Sequence, residues 1–151
     1  LVYRLHAGHL RALSLSRFAS VQSTNAWVRA LARRMNRDME LAEHHLLRIA
    51  SAQDIDLPPQ SAAIISRDQR LKHLRSLSGT NFDREFLRQV ILDEEEISQT
   101  IAGAQSLLPT DSVLLEYVGR FAPLRRQHRQ VAENIQGEMA SRPQDARRMG
   151  Q

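Results

Sequence analysis

Phe82 to Leu108 reads FDREFLRQVILDEEEISQTIAGAQSLL. Phe82, Phe86, Val90, Ile97, Ile101, Ala104 and Leu108 recur at three- and four-residue steps, the period of one face of an α-helix. One position of that stripe carries no apolar side chain: Glu94, inside the acidic run Asp93-Glu94-Glu95-Glu96. A carboxylate in a core stripe is costly unless it is paired, hydrogen-bonded, protonated or at the stripe's wet edge. The stretch therefore predicts a long core helix with a polar group at its middle. Special chemistry is to be sought near Glu94. The rest of the run is expected to be solvated, because consecutive helical residues fan round the axis.

Outward from this helix, the same period recurs three times. Val2 to about Ser20 carries Val2, Leu5, Ala12, Leu13 and Ala19 on one side, with His9 in the stripe and His6 beside it. After a short turn with Ser23 or Thr24 as the expected N-cap, a second helix runs to about Ala52. Its stripe is Trp27, Leu31, Met35, Met39, Ala42, Leu46 and Ile49. Pro58 and Pro59 close that segment, and Asp68 to Leu77 predicts a short helix laid across the others. Gly79 ends it, and Thr80 or Asn81 is the expected cap of the Phe82 helix. Leu108 to Ser112 is a turn, and a fourth long helix spans about Val113 to Met139. There Leu114, Val118, Phe121, Val131, Ala132, Ile135 and Met139 face inward, and Pro123 predicts a kink.

Short first and last turns make two antiparallel hairpins, and the long connection between the second and third helices lets those two run parallel. This is a ferritin-like topology. The expected fold is all-α: a ferritin-like four-helix bundle over residues 1–140, its long crossover carrying a short extra helix, then a flexible tail over 141–151. Parallel alignment sets Met39 at the height of Glu94 and brings His6, His9 and His128 to the same level.

Composition narrows the function classes. The chain has 151 residues, enough for one buried core, and no cysteine, which excludes disulfides, thiolate zinc sites and cysteine nucleophiles. No apolar run reaches the length of about 20 residues that spans a bilayer. The formal charge is +4, and Lys72 is the single lysine among the cations. The arginines are interleaved with acids along every helix, without a basic block or stacking aromatics, so a nucleic-acid partner is not expected. No signal peptide is visible. The chain starts at Leu1 rather than Met, as expected of one from which an upstream segment has been removed.

The stretch Ala30-Leu31-Ala32-Arg33-Arg34-Met35 with Asp38, then Leu57-Pro58, then Leu77-Ser78-Gly79-Thr80-Asn81-Phe82-Asp83-Arg84-Glu85-Phe86-Leu87 has a specific order and spacing. With Asp93 and Phe121-Ala122-Pro123-Leu124-Arg125-Arg126-Gln127-His128, it resembles the bacterial domain-of-unknown-function family 4142 over nearly the whole chain. The resemblance implies a ferritin-like fold and export to the periplasm or outer envelope behind a signal peptide, with no established general activity. Relatives commonly carry an Asp-His pair on each of the second and third long helices. Here those pairs read Asp38-Met39 and Asp93-Glu94. Ala12 and Ser14 stand where acids are common, and His128 is kept.

Two functional readings follow. The first is a non-enzymatic, exported helical domain of the envelope with a binding or interaction role and a protein partner there. It needs no cofactor, and Glu94 and His128 form a buried pair. The second is a metal-binding or metal-dependent redox protein, with His9, Glu94 and His128 around one zinc or copper ion and Met39 as a soft neighbour. A di-iron carboxylate centre is disfavoured, because it needs Glu-x-x-His pairs and the chain contains none. No Gly-x-Ser-x-Gly elbow or glycine-rich phosphate loop supports nucleophilic or phosphoryl chemistry.

Overall fold

The computed structural model describes residues 1–59, 68–110 and 112–148, with side chains described through Arg142. Among these residues the chain is all-α, with five helices: α1 (Val2–Gln22), α2 (Ala26–Ala52), α3 (Gln69–Arg75), α4 (Gly79–Gln105) and α5 (Val113–Arg148). No helix is long and apolar enough to cross a membrane among the described residues.

Local chemistry moves several boundaries from their expected places. Asn25 caps α2, its side chain accepting from the amides of Trp27 and Val28, while Ser23 closes α1. The buried face of α2 accordingly begins at Val28. Trp27, expected in the core, lies about 100° round the axis from it and is 46% exposed, with the Arg142 guanidinium 4.9 Å over its ring. Asp68 caps α3 through the amides of Arg70 and Leu71, as the short-helix expectation requires. Helix α4 starts before Phe82, because Gly79 takes a left-handed backbone (φ 56°) that only glycine adopts freely. Ser78 then precedes the helix without a side-chain cap bond, so neither Thr80 nor Asn81 is the cap. Helix α5 passes through Pro123 and, instead of ending at Met139, runs to Arg148; Gln144 to Arg148 are mostly good helix formers. The last three residues of the expected tail, 149–151, lie outside the described residues, as do the crossover residues 60–67.

The long helices associate as α1 with α2, α4 with α5, α2 with α5 and α1 with α4. Their directions follow from contacts far apart in sequence. Ser23 meets Asp83, Arg11 meets Asp93, and Gly8 meets Ile97, so α1 and α4 are antiparallel. Asp38 meets His128 and His45 meets Phe121, so α2 and α5 are antiparallel. Since α1 and α2 form a hairpin, α2 runs parallel to α4, as the matched stripes require.

The core has two apolar halves. One holds Leu31, Met35, Phe82, Phe86, Ala132 and Ile135, with Leu15 and Ala19 from α1. The other holds Val2, Leu5, Met39, Leu46, Ile97 and Phe121. The break falls between Met35 and Met39 on α2, between Val90 and Ile97 on α4, and between Phe121 and Ala132 on α5. In each break sits a polar group: Asn36 and Asp38, Asp93 and Glu94, Arg125 and His128. Even α1 contributes, since the buried Ser16 hydroxyl donates to Asn36 Oδ1 at 2.7 Å.

Candidate functional site

This polar layer is the place to which the Glu94 gap in the stripe points. Glu94 is 1% exposed, and its Oε2 accepts from Arg125 Nη1 at 2.9 Å. Its Oε1 is 3.6 Å from His128 Nδ1, an ion-pair distance rather than a hydrogen bond. The hydrogen-bonded partner of His128 is instead Asp38, whose Oδ2 is 2.8 Å from Nε2. Burial pushes the Glu94 carboxyl up, but Arg125 and His128 outweigh it, so its pKa falls below the usual range. A buried carboxylate is tolerated here because a guanidinium is buried beside it.

Arg125 is a charged residue, yet its spacing in the sequence places it inward. Leu114, Val118, Phe121, Arg125, His128, Ala132 and Ile135 advance by alternating steps of four and three, so Arg125 occupies a core position of α5. The Arg125 Nη2 atom lies beneath α1: a Cβ added to Gly8 would come 3.9 Å from it.

A second network runs between α1, α2 and α5. His6 Nδ1 is 2.6 Å from Glu43 Oε1, and His9 Nδ1 is 2.8 Å from Glu43 Oε2. The far nitrogen of His6 donates to the Pro58 carbonyl at 2.9 Å, and that of His9 lies 3.0 Å from the Tyr117 hydroxyl. Burial lowers the His9 pKa more than Glu43 raises it, leaving a neutral ring. Its Nδ1–H then donates to Glu43, and Tyr117 donates to Nε2. His6 thus bridges Glu43 on α2 and the Pro58 carbonyl beyond it. Burial also pushes the Tyr117 hydroxyl well above the usual tyrosine range.

The third network lies at the wet edge. Asp93 is 8% exposed and meets Arg11 Nη1 at 3.2 Å and Arg70 of α3. Burial raises its pKa against the pull of both arginines. Gln89 donates to the Arg70 carbonyl at 3.2 Å, so two hydrogen bonds tie α3 to α4. Two residues of the acidic run therefore face inward, not one: Asp93 and Glu94 straddle the stripe, Glu95 is half-buried and Glu96 is exposed.

The four residues put forward as metal ligands are thus divided. His9 belongs with Glu43 and Tyr117, Glu94 and His128 with Arg125 and Asp38, and Met39 is wholly buried in apolar surroundings. Among the described residues no three His, Cys, Asp or Glu side chains form a set that could hold a metal ion. Around Glu43, the contacts to His6 and His9 are hydrogen-bond distances of 2.6 and 2.8 Å. His44 and His73 are exposed, whereas His45 is half-buried against Phe121, with ring centroids 5.5 Å apart. Arg125, Glu43, Tyr117 and Asp38 are the partners of the candidate residues that the sequence did not assign.

Residues 1–135 match the family described as Domain of unknown function (DUF4142). The chain belongs to that family. No curated protein and no solved structure matches it. The match covers all four long helices, stopping within α5, and includes every residue of the three polar networks.

Proposed function

We propose that this DUF4142 chain is a non-enzymatic, exported, ferritin-like four-helix domain of the bacterial envelope, with a binding or interaction role. The observation that carries the reading is how its buried ionisable groups are spent. Both Glu43 oxygens are held by histidines, and Glu94 lies between Arg125 and His128. These groups cross-link helices instead of converging on a reacting atom. A ferritin-like bundle suits the antiparallel hairpins and the parallel α2 and α4. Met39 and Glu94 stand where relatives commonly carry histidine, which supports a structural use of this polar centre. Export is carried by the family resemblance.

Two measurements test this. Fractionation of cells expressing the gene from its own start should place the protein in the periplasm or envelope; retention in the cytoplasm overturns export. Elemental analysis of protein purified without chelator should find metal far below one ion per chain. A stoichiometric zinc or copper ion would replace the reading with a metal-binding one.

A further inference from the structure

Where the last two turns of α2 meet the first turns of α5, the surface carries a cleft of about 360 Å³. Its volume is at the lower end of small-molecule clefts. One wall is the half-exposed ring of His45, backed by the buried rings of Tyr117 and Phe121. Tyr117 and Phe121 have centroids 4.8 Å apart at 40°, and His45 packs on Phe121 at 5.5 Å and 54°. Ile49 and Ala52 add aliphatic surface, and Val113 at the rim is 52% exposed.

The rim is charged with one sign in excess. Arg48 and Arg120 both line the cleft, and among the described residues neither forms an ion pair with a carboxylate. Among the described residues Glu116 is the one acid in the lining, against these two arginines and the titratable His45. Arg120 is held over the Phe121 ring at 5.5 Å, which keeps its guanidinium at the edge of the aromatic wall. Burial lowers the His45 pKa, and Arg120 and then Arg48 add to the effect, as expected in a positive potential.

We propose that this cleft binds a small aromatic acid, its ring on His45 beside Ile49 and its carboxylate at Arg48 and Arg120. A flat ring extends the existing stack in the offset or tilted geometry that aromatic groups prefer. A carboxylate offers both guanidinium forks a charged acceptor. A cationic ligand would meet two fixed positive charges, and a long aliphatic chain would overrun so short a cleft. The proposal rests on the binding role given above and names the ligand class for it.

The test is a titration of the isotope-labelled chain with 2-naphthoate, followed by amide and side-chain NMR shifts. Saturable shifts are expected at His45, Ile49, Tyr117 and Phe121. The uncharged 2-naphthylmethanol, with the same rings, should bind about tenfold more weakly. The double variant Arg48→Glu, Arg120→Glu changes only exposed side chains and should keep the native spectrum while losing about tenfold in naphthoate affinity. Absence of saturable shifts, shifts centred elsewhere, or equal binding of acid and alcohol would overturn the ligand class. If that happens in a protein that fractionates with the envelope and carries no metal, the proposed role stands and only this assignment falls.

Discussion

At the scale of single residues, Glu94 shows how far a sequence can be read. Its break in an apolar stripe marked a buried charge, and the structure buries it. Its strongest partner, Arg125, was missed because arginine is ordinarily a surface residue, although the four-three spacing of α5 places it inward. Glu43 was missed likewise: it follows Met39 by four and precedes Leu46 by three, at the flank of the α2 face. The Glu94–Arg125 pair makes an expected outcome specific. Arg125→Leu leaves a carboxylate buried without its main counter-charge and should cost about 3–5 kcal/mol. Glu94→Leu should do similar harm through the stranded guanidinium. The double variant should lose much less than the sum, and denaturant unfolding of the three variants gives the coupling directly. Additive losses would mean that the two charges do not stabilise one another.

At the scale of elements, the stripes located the long helices, while their ends obeyed chemistry that periodicity does not contain. An Asn25 cap turned Trp27 out and Val28 in; a left-handed Gly79 lengthened α4 at its start. Phe86→Ala, at a fully buried site of α4, should therefore cost about 3–5 kcal/mol. Trp27→Ala should cost only about 1–2 kcal/mol, since nearly half of that side chain is already in water. Equal losses in thermal or denaturant unfolding would place the two rings in equivalent surroundings, against this packing.

Helix α1 adds a sharper test, because a Cβ at Gly8 would lie 2.6 Å from Ile97 Cδ1 on α4. Gly8→Ala gains about 1 kcal/mol of helix propensity and meets an overpacking cost of about 1–3 kcal/mol. The balance should be mildly destabilising. Ile97→Val removes the clashing methyl, so it should cost less in the Gly8→Ala background than in the native chain. Unfolding free energies of the four-member cycle decide this, and identical costs in the two backgrounds would show that the helices do not approach so closely at Gly8.

Over the whole molecule, a polar layer divides two apolar halves, and its Glu94–Arg125 and Asp38–His128 bonds form in only one register of the helices. A slide of one turn would leave Glu94 opposite apolar surface and Arg125 without a carboxylate, a cost far larger than that of sliding a uniform hydrophobic seam. Such a layer also makes stability depend on pH, with a direction fixed for each group. His9 has a lowered folded-state pKa, so below about 6.5 the unfolded chain takes up a proton that the native chain refuses. Stability therefore falls as pH drops from 6.5 toward the folded value. Glu94 is also lowered: its contribution is complete above about 4.5 and is lost as pH falls through the folded value. Asp93 is raised, so acid returns a little stability between its folded value and about 3.8. Urea unfolding from pH 8 to pH 3 should thus show loss in two stages, the first near the histidine range and the second below the usual carboxylate range. His9→Gln should lower stability at neutral pH but flatten the first stage, and Glu94→Gln should weaken the second. A native chain that gains stability between pH 7 and pH 5, or a His9→Gln chain with an unchanged slope there, would show that the neutral, buried His9 is not what couples this fold to protons.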